Sequence, residues 1–248
     1  MKKFNNILVF GATSAICHAV LKILSEQTCH FFLAARDESR LAAITQDLKT
    51  RGATISGTSS FDFNHVDSIQ SCVDSASNKM GSLDLILVAH GTLPDNELLE
   101  KDINKAIESI NANFTSCAAI VLESCQRLEA QGSGTLAVIS SVAGDRGRKT
   151  NYIYGASKSA LNTLLQGLQG RFSGTNIRIV NIKPGMIDTP MTRDFQKGLL
   201  WSTPEKIAPA IYKAILIGKS NCYVPSYWRL IMLIIKFLPA AILYRLPI

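Results

Sequence analysis

The chain has 248 residues, 47% hydrophobic and 18% charged, enough apolar matter for one large domain with a buried core and too much for a disordered segment. Lys and Arg (26) exceed Asp and Glu (19) by seven, with a pI near 9.1, so an anionic partner, either nucleic acid or a membrane surface, must be sought where the charges lie. The six scattered cysteines form no C-x-x-C pair and the four histidines do not cluster with them, which argues against a metal site and a disulfide framework.

Met1-Lys2-Lys3-Phe4 precedes an apolar run, Ile7–Phe10, far too short for a signal peptide, so a cytoplasmic chain with reduced thiols is expected. That run is the first of a series of predicted strands, with Phe31–Ala35, Leu83–Ala89, Thr135–Ser140 and Ile177–Ile182, separated by helix-length amphipathic stretches. The rhythm is that of an α/β fold of Rossmann type: one doubly wound parallel sheet with helices on both faces, spanning residues 1–224 without a linker. Ligands of such sheets bind beyond the carboxyl ends of the strands, which is where chemistry is sought.

After the first strand, Gly11-Ala12-Thr13-Ser14-Ala15-Ile16-Cys17 opens a helix. A small-residue turn feeding a helix N-terminus presents free N–H groups and the helix dipole to a phosphate, although a plain strand-to-helix connection looks similar. The second strand ends at Ala35-Arg36 with Arg40 one turn on; guanidinium groups suit a 2′-phosphate where an NAD site carries an acid, so NADPH is favoured over NADH. Asp62-Phe63 after a third strand suits an adenine edge, and Ala89-His90-Gly91 after the next falls beside the cofactor ribose, with His90 a wall residue rather than a metal ligand.

Ser140-Ser141-Val142-Ala143-Gly144 is followed by Tyr154-Gly155-Ala156-Ser157-Lys158. Tyr154 and Lys158, four apart, rise from one face of a helix, so one cation acts on one phenol, as a general acid working near neutral pH requires. Together with Gly11 and with Pro184-Gly185 to Thr189, in this order and spacing, these residues resemble the short-chain dehydrogenases/reductases over nearly the whole chain. The resemblance implies that Ser141 bonds a substrate carbonyl, Tyr154 protonates it, and Lys158 holds the nicotinamide ribose. It assigns Asn113 to a proton-relay water, with Asn111 the competing assignment, and Pro184, Gly185, Ile187 and Thr189 to the nicotinamide carboxamide side. It also implies a homo-oligomer. The family's glycine pattern is only partly kept: Phe10, Ala15 and Cys17 stand where it has Thr, Gly and Gly.

The segment 225–248 is separate in character. From Tyr227 onward it carries Arg229, Lys236 and Arg245 and no acid. Its uncharged runs, Leu230–Ile235 and Phe237–Tyr244, fall short of the about 18 residues a spanning helix needs. Two readings stay open on physical grounds: a segment lying peripherally on the cytoplasmic membrane, or a lid or subunit contact. Ala89-His90-Gly91-Thr92-Leu93, Asn151-Tyr152-Ile153-Tyr154-Gly155 and the closing Pro239…Arg245-Leu246-Pro247-Ile248 are similar to the decaprenylphosphoryl-2-keto-pentofuranose reductases. That implies a ketosugar on a polyprenyl phosphate and a flavin oxidase partner. The expectation is an NADPH-dependent ketone reductase. The alternatives are a 3-oxoacyl or other lipid ketone reductase and a non-catalytic dinucleotide sensor. No G-x-S-x-G elbow supports hydrolysis, and no basic stripe with stacking aromatics supports nucleic acid.

Overall fold

A computed structural model describes residues 4–245. Seven strands form one parallel sheet in the order β3-β2-β1-β4-β5-β6-β7: β1 Asn6–Phe10, β2 His30–Ala35, β3 Thr54–Ser60, β4 Leu85–Val88, β5 Gly134–Ile139, β6 Ile177–Pro184 and β7 Asn221–Val224. The strand order reverses between β1 and β4, and their carboxyl ends frame the crevice where such sheets bind ligands.

Alternation along the strands divides the core. Ile7 and Val9 of β1 face α1 (Ala15–Ser25) and α8 (Pro204–Ile217), whereas Leu8 and Phe10 face α3 (Val66–Met80), α6 (Ser116–Gln131) and α7 (Tyr152–Arg171). Both faces are covered, which is why β4 and β5 read as continuous apolar runs.

The predicted strand at Leu83–Ala89 is shorter at both ends. The Asp84 carboxylate accepts from the backbone N–H groups of Asn5 and Asn6 at 2.9 and 3.0 Å, and the Leu83 N–H is taken by the Gln131 side chain. Conversely, β6 runs two residues beyond Ile182, because Lys183 and Pro184 gain pairing partners in Tyr223 and Val224. The edge strand β7 was not foreseen: four residues carry little periodic signal.

The carboxyl end of the chain folds into α9, Trp228–Phe237, and a single turn, α10, Ala240–Leu243, with Pro239 between them. Trp228 and Met232 are buried against Val142, while Leu230, Leu233, Ile234 and Phe237 face outward. No helix among the described residues is long and apolar enough to cross a membrane. Leu246-Pro247-Ile248, which contributed to the subgroup resemblance, lie outside the described residues.

Candidate active site

Gly11 leaves β1 with a left-handed backbone (φ +83°), and a Cβ there would stand 2.6 Å from the His90 nitrogen. Glycine is required on both counts: only it takes that φ without strain, and only it lets the end of β1 lie on the end of β4. The turn is held by the Gly11 and Ala12 N–H groups donating to the Ala34 carbonyl. Ser14 then begins α1 with no side chain capping it and no acid in the first turn. The first-turn N–H groups at Ala15 and Ile16 therefore remain available to a phosphate, and this is the fit of a dinucleotide to this end of the sheet. Cys17 is fully buried between α1 and the sheet, so its bulk is absorbed by the core.

Arg36 stands exposed at the end of β2. Arg40, on α2 (Glu38–Thr50), reaches back so that its Nη2 donates to the Thr13 carbonyl at 3.2 Å. Asp37, the acid next in sequence, is engaged in capping α2: it accepts from the Arg40 N–H, which lowers its pKa, and from the Ser39 hydroxyl. The Arg40 guanidinium thus stands at the loop, Arg36 lies at the adjoining strand end, and the adjacent carboxylate is otherwise occupied.

The Asp62 carboxylate accepts from the Asn64 backbone and side chain, which lowers its pKa. The Phe63 ring does not face the cleft. It is buried, edge-on to Phe10 at 5.9 Å and to His90 at 4.8 Å. His90 Nε2 lies 2.9 Å from Ser116 Oγ, and its Nδ1 is buried with no hydrogen-bond partner.

A π-helical turn, Asn111–Thr115, interrupts the helix between α5 (Ile103–Ile110) and α6, an irregularity that recurs at functional sites. It places the two asparagines in different surroundings. Asn113 is fully buried; its Oδ1 accepts from the Thr92 N–H at 2.9 Å and its Nδ2 donates to the Ser109 carbonyl. A Cβ on Gly91 would lie 2.8 Å from Asn113 Oδ1 and 3.4 Å from Lys158 Nζ, so these two side chains meet over Gly91. Asn111 is engaged outside with Thr115.

Ser141 follows β5 and caps a short 3-10 turn, Val142–Asp145, its Oγ accepting from the Ala143 N–H at 3.0 Å. The turn sits directly on α7: a Cβ on Gly144 would lie 2.5 Å from the Lys158 carbonyl. Tyr154 and Lys158 share one face of α7, with Lys158 Nζ 5.7 Å from the Tyr154 ring centroid. Lys158 is buried and Tyr154 half-buried, a cation withdrawn from water beside a phenol that still reaches the cleft.

At the end of β6, the Gly185 N–H donates to the Val224 carbonyl, and a Cβ on Gly185 would overlap the Trp228 indole of α9. Ile187 is buried in the core, and Thr189 caps the turn Pro190–Thr192 reciprocally with Thr192. Three features escaped the sequence reading. Thr92 and Ser109 hold Asn113, and Trp228 braces Gly185. The third is Arg148, half-buried. Its Nε is without a partner, and among the described residues no carboxylate pairs with it. Burial lowers its pKa, with Tyr154 acting in the opposite direction. Arg148 lines a cleft of about 680 Å³ with Arg146, Lys149, Tyr152, Leu243 and Tyr244.

Comparison with known proteins bears on the family and the fold. Residues 5–199 match the family model described as short chain dehydrogenase. An uncharacterized oxidoreductase of Streptomyces coelicolor is 32% identical over 244 residues, covering 98% of this chain and 96% of that one. One of Mycobacterium tuberculosis is 28% identical over 241 residues, 97% and 96% of the two chains. Among solved structures, a short chain dehydrogenase/reductase from Burkholderia phymatum in complex with NAD superposes with a TM-score of 0.82 at 20% identity, covering 94% of each chain. An actinorhodin polyketide ketoreductase with NADPH gives 0.79 at 19%, covering 89% of this chain and 95% of that one.

Proposed function

The chain belongs to the short-chain dehydrogenase family, an NAD(P)-dependent oxidoreductase family, and from that premise we propose that it reduces a ketone to a secondary alcohol with NADPH. The observations that support this reading are that Lys158 Nζ stands 5.7 Å from the Tyr154 ring, that Lys158 and Asn113 both border Gly91, and that the turn capped by Ser141 packs on α7 at Lys158. The bound dinucleotide supplies the hydride. Ser141 Oγ holds the ketone oxygen, and the Tyr154 hydroxyl gives it a proton as negative charge develops there. Lys158, buried beside the ring, stabilises the phenolate left behind. Asn113 fixes the Gly91–Thr92 loop against Lys158 and so keeps the cation in register. A sensor without catalysis would not need this set assembled. Arg36 and Arg40 favour the 2′-phosphate of NADPH.

The substrate reading is an anionic ketone with an apolar chain, of which a ketosugar on a polyprenyl phosphate is the form suggested by the subgroup resemblance. Its support is the cleft of Arg146, Arg148 and Lys149 beside apolar Leu243 and Tyr244. The Arg148 Nε–H is buried without a partner, which is costly unless a ligand supplies an acceptor. The outward apolar side chains of α9, with Arg229 and Lys236, support peripheral contact with a membrane surface that presents such a substrate.

The test is NADPH oxidation with ketosugar phospholipid, acyl-thioester ketone and neutral ketone substrates. Tyr154→Phe is expected to lower kcat by at least about a hundredfold while NADPH binding persists; unchanged turnover would remove the mechanism.

A further inference from the structure

A second cavity, of about 500 Å³, lies between α7, the β6–β7 edge and α9, and neither Tyr154 nor Lys158 lines it. Its floor is a closed polar cluster. The Asp145 carboxylate accepts from Lys183 Nζ at 2.7 Å and from the Tyr223 hydroxyl at 2.6 Å. Side-chain exposures of 3% for Asp145 and 9% for Lys183 make this a built pair rather than a surface contact. Burial and the Asp145 hydrogen bond raise the Tyr223 pKa, so its hydroxyl stays a donor.

Among the described residues Asp145 is the only acid lining the cavity, and Lys183 neutralises it. Lys219, Arg229 and Lys236 line the same space, and none has a carboxylate within ion-pairing distance among the described residues. Three uncompensated cations facing one space repel one another, and an anion between them reverses the sign of that term. Lys183 spends one of its three N–H groups on Asp145 and retains donors of its own. Four cationic groups offer more donors than the two oxygens of a carboxylate accept; a phosphate, with three free oxygens and up to two charges, matches them better.

We propose that this cavity is a phosphate-group site, separate from the catalytic cleft. The same chemistry is offered by the headgroup of an anionic lipid and by a free phosphomonoester. Arg229 and Lys236 are two turns apart on the helix whose outer face carries Leu230, Leu233, Ile234 and Phe237, so a headgroup in the cavity would leave its chains along apolar residues. This lipid arm rests on the membrane reading given above; the phosphate arm does not.

The experiment uses the full chain with NADPH present, so that the dinucleotide site is filled. Glycerol 3-phosphate binding is measured by calorimetry, and co-sedimentation is measured with phosphatidylglycerol-containing and pure phosphatidylcholine vesicles. Lys219→Gln/Arg229→Gln/Lys236→Gln is compared with a variant of equal charge, Lys22→Gln/Lys49→Gln/Lys101→Gln. The pocket variant is expected to bind glycerol 3-phosphate and anionic vesicles at least about tenfold more weakly than wild type, and the control to bind like wild type; tenfold corresponds to about 1.4 kcal/mol. Binding of glycerol 3-phosphate without binding of vesicles supports the site with a free phosphate as its ligand and sinks the membrane reading. Vesicle binding that both variants retain leaves the membrane reading standing and overturns the site. Equal losses in the two variants, or no binding of either probe, also overturn it.

Discussion

Burial holds the His90 imidazole neutral. Although part of the residue reaches the surface, Nδ1 does not, and loss of hydration pushes its pKa down to about 3, with the charges of Lys158 and Arg36 acting in the same direction. Below its ordinary value near 6.5 the unfolded chain takes up a proton that the folded chain refuses. This contribution to stability is therefore intact above that value and is lost as the pH falls toward the folded value, at no more than about 1.4 kcal/mol per pH unit. His90→Gln is expected to flatten the stability curve over that range, as measured by denaturant titration at a series of pH values. Arg148 is the second residue whose surroundings predict an effect. Arg148→Gln is expected to raise KM for a phosphate-bearing ketone by about tenfold to a hundredfold and to leave a neutral ketone nearly unaffected, the range of a charge-assisted hydrogen bond. Equal effects on both substrates would assign Arg148 a packing role. Neither property was legible in the sequence, since the number of neighbours around a side chain is not written in its local pattern.

At the scale of elements, the site depends on the turn after β5 lying against α7. Gly144 permits the contact: an added methyl would stand 2.5 Å from the Lys158 carbonyl and from its carbon. Gly144→Ala is expected to push the turn off the helix and separate Ser141 from Tyr154. The cost expected is about 1–3 kcal/mol of stability and a fall in kcat that exceeds any change in NADPH affinity. Thermal unfolding and steady-state kinetics read the two separately. The strands that carry the site, β1, β2, β4, β5 and β6, were legible because burial on both faces demands apolar runs. β3 was less so: it is an edge strand of sequence Thr-Ile-Ser-Gly-Thr-Ser-Ser, with no fully buried position and a glycine beneath the Phe32 ring. The π-helical turn that carries Asn113 had no signal in the sequence, because it spans only five residues, too few for a change of period to show.

At the scale of the molecule, α9 has two faces of different character, one packed and one exposed. Its inner face, through Trp228 and Met232, closes over Val142 and Gly185, next to Ser141 and to the end of β6. Removing residues 227–248 would therefore uncover the site as well as the outer surface, and truncation alone cannot separate membrane contact from packing. Leu233→Glu/Phe237→Glu alters only the outer face. It is expected to shift the protein from the membrane fraction to the soluble fraction with little change in melting temperature, whereas Trp228→Ala is expected to cost about 3–5 kcal/mol. A pair substitution that leaves partitioning unchanged would confine α9 to packing.

Eight of the 26 basic residues lie in three groups: Arg36 and Arg40 after β2, Arg146, Arg148 and Lys149 in one cleft, Lys219, Arg229 and Lys236 in another. The sequence by itself determined the sheet class, the order of the catalytic motifs and the Tyr154–Lys158 pair, because period and short spacing are local and survive without a fold. Only the tertiary structure decided that Asn113 meets Lys158, that Phe63 turns into the core, and that three cations from α9 and the loop before β7 face one cavity. Those meetings join residues from different elements, and no local pattern encodes the distance between them.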